Sequence, residues 1–153
     1  MSKDWVKDIN EMQTKYGTRD WVNNNLSHEK LRTFLEFRMD FIEEEFEETV
    51  KAITIDNDPE EIVDGLIDMC VVAIGTLDAF GIDPYAAWDA VHKANMSKEV
   101  GVKPSRPNPL GVPDLIKPEG WTAPSHKGNH GLFPAAVAST GPIITKDTDN
   151  LES

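Results

Sequence analysis

The chain has 153 residues, 39% of them apolar, with four tryptophans and six phenylalanines. That is enough for one domain with a core, and it excludes wholesale disorder. A formal charge of −12 repels nucleic-acid phosphates, so no nucleic-acid partner is expected. The N-terminal MSKDWVKDIN lacks the apolar core of a signal peptide, and no run of roughly 18 apolar residues offers a membrane span. The expectation is a soluble cytoplasmic protein with no membrane partner.

A first helix is predicted from about Lys3 to Tyr16, ended by Gly17. The following TRDWVNNNL reads as a loop. A long second helix starts after the N-cap Ser27 and continues to about Ile55. A third is capped by Asp58, has Pro59 in its first turn, and runs to about Phe80 with Gly81 as its stop. A short fourth repeats the device with Asp83 and Pro84. Four helices with short connections predict an all-α, antiparallel four-helix bundle over residues 1–98. Eight of the ten prolines lie beyond residue 99, so residues 99–153 read as an irregular Pro-rich C-terminal arm and tail of the same domain. Residues 110–122 could form a small hairpin or extended arm. FPAAVAST, residues 133–140, is apolar and falls outside the bundle, where it could cover a neighbouring subunit.

The segment IEEEFEE raises a question of charge. Positions 43–48 hold five glutamates. On a helical wheel, Leu31, Leu35, Met39, Ile42, Phe46, Val50 and Ile53 form one apolar stripe, widened by Phe34, Phe37 and Phe41. Glu36, Asp40, Glu43 and Glu47 lie on the far, solvated side. Glu45 and Glu48 face the protein, and Glu44 borders them. The third helix, apolar nearly all round between Met69 and Leu77, reads as buried, with Cys70 as a small buried hydrophobe. Asp64 and Asp68 share one face of it with Gly75, whose missing side chain leaves room for an approaching group. Glu61 lies one turn before Asp64. No lysine or arginine occurs between Lys51 and Lys93. A buried aspartate then needs a proton, a basic partner from elsewhere or a metal.

Carboxylates on two facing helices form a hard-oxygen cage suited to Mg²⁺ or Mn²⁺. A ferritin-like di-iron plan is disfavoured, because Glu-x-x-His is missing: His28 and His92 are the helical histidines, and neither follows a glutamate by three. Mg²⁺ held this way commonly takes up substrate phosphates. VHKANMSK, with Lys93, Asn95 and Lys98, supplies phosphate-binding partners at the end of the fourth helix.

These segments carry a resemblance. IEEEFEE resembles the EExxE motif of the MazG-like all-α nucleoside triphosphate pyrophosphohydrolases. DGLIDMCVVAIGTLDAFGID, AWDAVHKANMSK and LIKPEGWTAPS are similar to the second carboxylate helix, closing helix and C-terminal arm of its phage-type, phosphoribosyl-ATP pyrophosphohydrolase-like branch. The resemblance implies hydrolysis of an NTP or dNTP to the monophosphate and pyrophosphate with Mg²⁺ or Mn²⁺. Two or three ions per site are expected. It implies Glu45 and Glu48 as metal ligands. The relatives' partner motif is ExxD, ending where Asp68 stands; Gly65 then takes the glutamate position, so Asp64 or Glu61 completes the set. Glu44 or Glu45 would serve as base, while Lys93 and Lys98, with Asn95, would meet the leaving pyrophosphate. Base recognition would fall to Trp21 and Asn24, although Trp21 as core and Asn24 as turn residue fit equally.

The likeness leans towards dGTP or GTP, as in the (d)GTP-specific MazZ type, with dUTP, dCTP, dATP and phosphoribosyl-ATP as alternatives. A homodimer or homotetramer is expected, in a host cytoplasm if the gene is phage-borne. A reading of another class is a non-catalytic helical module for interaction or nucleotide sensing.

Overall fold

A computed structural model describes residues 1–106 and 108–137. It divides into two compact units, one made of Met1–Ile82 with the segment from His130 onward, the other of Asp83–Asn129.

In the first unit, α1 spans Trp5–Lys15, and the Asp4 side chain caps it by accepting the Lys7 N–H at 3.0 Å. A helix absent from the sequence reading follows. Gly17, at φ 83°, turns the chain and its carbonyl accepts the Trp21 N–H at 2.9 Å, which starts α2, Thr18–Asn23. The predicted loop is therefore helical, because a left-handed glycine reverses the chain and the next turn forms at once. Helix α3 is His28–Lys51, capped by Ser27. It relaxes into a π-helical turn, Ala52–Asp56, which Asn57 ends at φ 51°. Helix α4 is Pro59–Ala79; the Asp58 carboxylate accepts the N–H groups of Glu60 and Glu61.

Gly65 on α4 sits against Thr49 of α3, and Gly75 against Arg38, so the two helices run antiparallel. Their packing, with α1 on α4, encloses Ile9, Val22, Leu31, Ala52, Ala79 and Phe80. Two expectations are corrected by this arrangement. The protein-facing line of α3 is Leu31, Arg38, Glu45, Thr49 and Ala52. The apolar stripe of Met39, Phe46, Val50 and Ile53 instead faces outwards, at 39–56% exposure. Nor is α4 buried all round: Val63, Leu66, Ile67 and Cys70 are exposed. The helices meet along small and polar side chains, and so their apolar flanks remain outside.

A short helix, α6 (Phe133–Val137), packs on α3, with Ala136 fully buried. Phe133 stacks on Phe80 at 4.8 Å, and Leu132 donates its N–H to the Phe80 carbonyl at 2.7 Å. Residues 133–137 thus pack on α3 of their own unit, correcting the expectation that they fall outside the helical core; residues 138–140 of that stretch lie outside the described residues.

The second unit holds α5, Pro84–Met96, capped by Asp83. Strands β1 (Glu99–Gly101) and β2 (Asp114–Ile116) pair antiparallel, with Val100 opposite Leu115. The extended arm expected at 110–122 is partly this pairing, though its partner strand lies upstream. The described residues are thus predominantly helical, with six α-helices rather than four and one small sheet. No helix among them is long and apolar enough to cross a membrane.

Candidate active site

The close approach of Gly65 to Thr49 sets the site. A Cβ on Gly65 would collide with the Thr49 hydroxyl, which itself donates to the Glu45 carbonyl at 2.7 Å. Only glycine lets α4 lie this near, and the result is that Glu45 and Glu48 on α3 come beside Asp64 and Asp68 on α4. Gly65→Ala is expected to destabilise the protein by about 1–3 kcal/mol through overpacking. Adding Thr49→Ala should restore much of the loss, as read from denaturant midpoints of the single and double variants.

Glu45 and Asp68 are partly buried, whereas Glu44, Glu48, Asp64 and Glu61 are exposed. The Glu45 carboxyl is held above its ordinary range, first by desolvation and then by the charges of Asp68, Glu48, Glu44 and Asp64. Four carboxylates therefore act on one. Glu61 is not among them; it stands in the first turn of α4, where its N–H meets the Asp58 cap at 3.3 Å. The nearby cation Lys51 is engaged by Asp56 at 2.8 Å. Among the described residues, no three His, Cys, Asp or Glu side chains converge closely enough to enclose an ion as they stand. The donor set still fits a hard divalent cation: it is all carboxylate, and among the described residues no lysine or arginine forms an ion pair with it, Lys51 acting on Glu48 only through its field.

One turn and more towards the start of α3, the same face carries Arg38. Its Nε–H donates to the Thr76 hydroxyl and its Nη2–H to the Val72 carbonyl, both at 3.1 Å. The guanidinium lies over the rings of Phe34 and Phe41, at 6.0 and 5.9 Å. Burial lowers its proton affinity. Gly75 makes space for Arg38 and Gln13, since a Cβ there would lie 2.6 Å from the Arg38 Nη2 and 2.7 Å from the Gln13 Oε1. The room left by Gly75 is filled by the protein's own side chains, which corrects the expectation of space for an incoming group. The helix face of Arg38 was legible, since it stands four residues after Phe34 and three before Phe41 on the line that leads to Glu45, but its reach to α4 was not.

A second missed feature ties α1 and α2 to α4. Asp78, buried, accepts from Asn10 at 2.9 Å and Gln13 at 2.8 Å, and pairs with Arg19 at 3.3 Å. Trp21 is 42% exposed and rests on Phe34, with centroids 5.2 Å apart. The Asn24 amide donates to the Asp20 carbonyl at 2.8 Å and closes α2, so its nitrogen serves the helix end.

The remaining sequence candidates belong to the second unit. The Ala94 carbonyl accepts from Ser97 and from the Trp121 indole N–H, at 2.9 Å for the latter. This satisfies a free carbonyl of the last turn of α5 and fastens the arm. Lys98 and Lys117 lie over the Trp121 ring at 5.5 and 5.0 Å. Lys93 lines a cavity of about 620 Å³ with Ser97, Trp121 and Ser125. Asn95 is exposed and does not line it.

No curated protein and no solved structure matches the chain. A family model does: phosphoribosyl-ATP pyrophosphohydrolase matches residues 11–95, more than half of the chain, from α1 through the carboxylate helices to α5. The chain belongs to the phosphoribosyl-ATP pyrophosphohydrolase family, within the MazG-like all-α nucleoside triphosphate pyrophosphohydrolase superfamily.

Proposed function

We propose that the protein is a metal-dependent pyrophosphohydrolase that converts a nucleoside triphosphate and water into the nucleoside monophosphate and pyrophosphate. The observation that carries this is the field at Glu45, where Asp68, Glu48, Glu44 and Asp64 crowd one carboxyl and no described lysine or arginine forms an ion pair with it. Membership of the family supports hydrolysis of a phosphoanhydride bond, and the family is typically dependent on divalent metals.

Glu45, Glu48, Asp68 and Asp64 would hold Mg²⁺ or Mn²⁺, two or three ions per site, with Glu61 in reserve. When bound, the ions supply the positive charge that lets an anionic triphosphate approach, and they activate water. Glu44 or Glu45 takes the proton of the attacking water. In the second unit, Lys93 and Lys98 offer ammonium groups suited to phosphate oxygens.

The favoured substrates are dGTP and GTP, on overall likeness to the phage-type branch and its (d)GTP-specific MazZ type. Phosphoribosyl-ATP is the second reading, favoured by the name of the matching family. A homodimer or homotetramer is also proposed, supported by the exposed Phe46, Val50 and Ile53 of the α3 end and Val63, Leu66 and Ile67 of α4.

The test is to incubate the protein with each common NTP and dNTP and with phosphoribosyl-ATP, with Mg²⁺ or Mn²⁺, and to assay pyrophosphate. Pyrophosphate from one substrate supports the reading and names that substrate. Orthophosphate alone, or no product from any of them, contradicts it.

A further inference from the structure

Arg38 is a cation in the wrong company for a structural ion pair. The chain carries 27 acidic residues against 15 basic ones. Yet no carboxylate among the described residues pairs with this partly buried guanidinium. Two of its N–H groups are satisfied, by Thr76 and the Val72 carbonyl. The rest of the fork has no acceptor among the described residues. The remaining N–H groups of the fork are donors that a ligand acceptor can use.

Its surroundings define that acceptor. Phe34 and Phe41 lie on either side of the guanidinium. Trp21 extends the aromatic surface from Phe34 and is 42% exposed. Apolar ring faces with one hydrogen-bonding cation between them suit a flat heterocycle better than a phosphate, whose oxygens want several donors. Glu45 follows Arg38 by seven residues on the same face of α3, about 10 Å along the axis. That separation is comparable with the span from a nucleotide's α-phosphorus to the far edge of its base. One face of α3 therefore presents carboxylates and, two turns away, a guanidinium near two aromatic rings that no described carboxylate pairs with.

We propose that Arg38 is the base-reading residue of this site and that it selects an oxo base, guanine above all. Guanine sets O6 and N7 side by side, two acceptors for one fork. Adenine offers an amino group at the same place, which would turn donors against donors. The inference rests on the pyrophosphohydrolase reading for its substrate, whereas the binding comparison that tests it does not.

Binding of dGMP and of 2-aminopurine deoxyribonucleoside monophosphate to the wild-type protein compares a base with the 6-oxo group and its N1–H against one that lacks both and keeps N7, without any turnover. The expected result is about tenfold or more tighter binding of dGMP. Arg38→Lys should shrink that ratio towards one. It should also cut kcat/KM for dGTP more than for dATP, while a purely structural role would reduce both alike. Equal binding of the two monophosphates, no binding of either, or a uniform loss across bases in Arg38→Lys overturns the assignment. So does an Arg38→Lys loss that falls mainly on phosphoribosyl-ATP, which would point to its second phosphate. A lack of pyrophosphate from every triphosphate would overturn the proposed reaction, yet the monophosphate comparison would still decide the role of Arg38.

Discussion

Replacing Glu45 with glutamine is expected to lower pyrophosphate release by about 100-fold or more and, in the same variant, to raise the thermal midpoint of the metal-free protein. The two effects share a cause. Glu45 is desolvated and faces Asp68, Glu48, Glu44 and Asp64, so its ionised form strains the folded chain until a cation arrives. Because its carboxyl is raised above the ordinary 4.5, the folded form keeps a proton that the unfolded chain has already released as pH climbs past that value. Stability of the metal-free protein therefore falls as pH rises through this window. Glu45→Gln removes that slope. Melting curves in a chelator across the window, for both proteins, read it directly. A variant that melts lower than the wild type at neutral pH, or that keeps full activity, would refute the assignment.

Asp78→Ala is expected to cost about 3 kcal/mol of stability, because it strands the amides of Asn10 and Gln13 and the Arg19 guanidinium that converge on it. For a chain of this size the midpoint should fall by roughly 6–12 °C. Asp78→Asn should fall between the two, since it keeps an acceptor but loses the charge that meets Arg19. Asp78 stands ten residues beyond Asp68, about 15 Å along α4. Divalent-metal affinity below the melting transition should therefore be retained, and calorimetric titration with Mn²⁺ checks it. Metal affinity lost in the folded variant would show that this network belongs to the site rather than to the joint between α1, α2 and α4.

Much of the arrangement could be read from local chemistry. Ser27, Asp58 and Asp83 each cap the helix that the sequence placed after them, because a cap needs only its own neighbours. The division of the glutamates also carried over in part: Glu45 turns inwards while Glu43 and Glu47 stay in water. What the wheel could not show was that α3 meets α4 along small and polar side chains rather than along its apolar stripe. That depends on closeness of approach, and closeness is set by the Gly65 and Thr49 contact between distant positions. The same blindness hid Arg38. The stretch from Lys51 to Lys93 lacks cations, as read, but the guanidinium reaches α4 from α3. Asp78 escaped notice for the same reason, since its partners lie 59 to 68 residues away. The α6 segment read as surplus apolar surface because only the folded chain reveals Phe80 waiting beneath it.

The central claim is that α3 and α4 jointly hold divalent ions at Glu45. Crystals grown with Mn²⁺ and a slowly hydrolysed nucleotide analogue, with anomalous-difference maps at the manganese edge, test it most directly. The expected map has at least one peak bounded by Glu45, Glu48 and Asp68, with a phosphate oxygen on its open side. Manganese bound elsewhere, with those three carboxylates unliganded beside an ordered nucleotide, would contradict it.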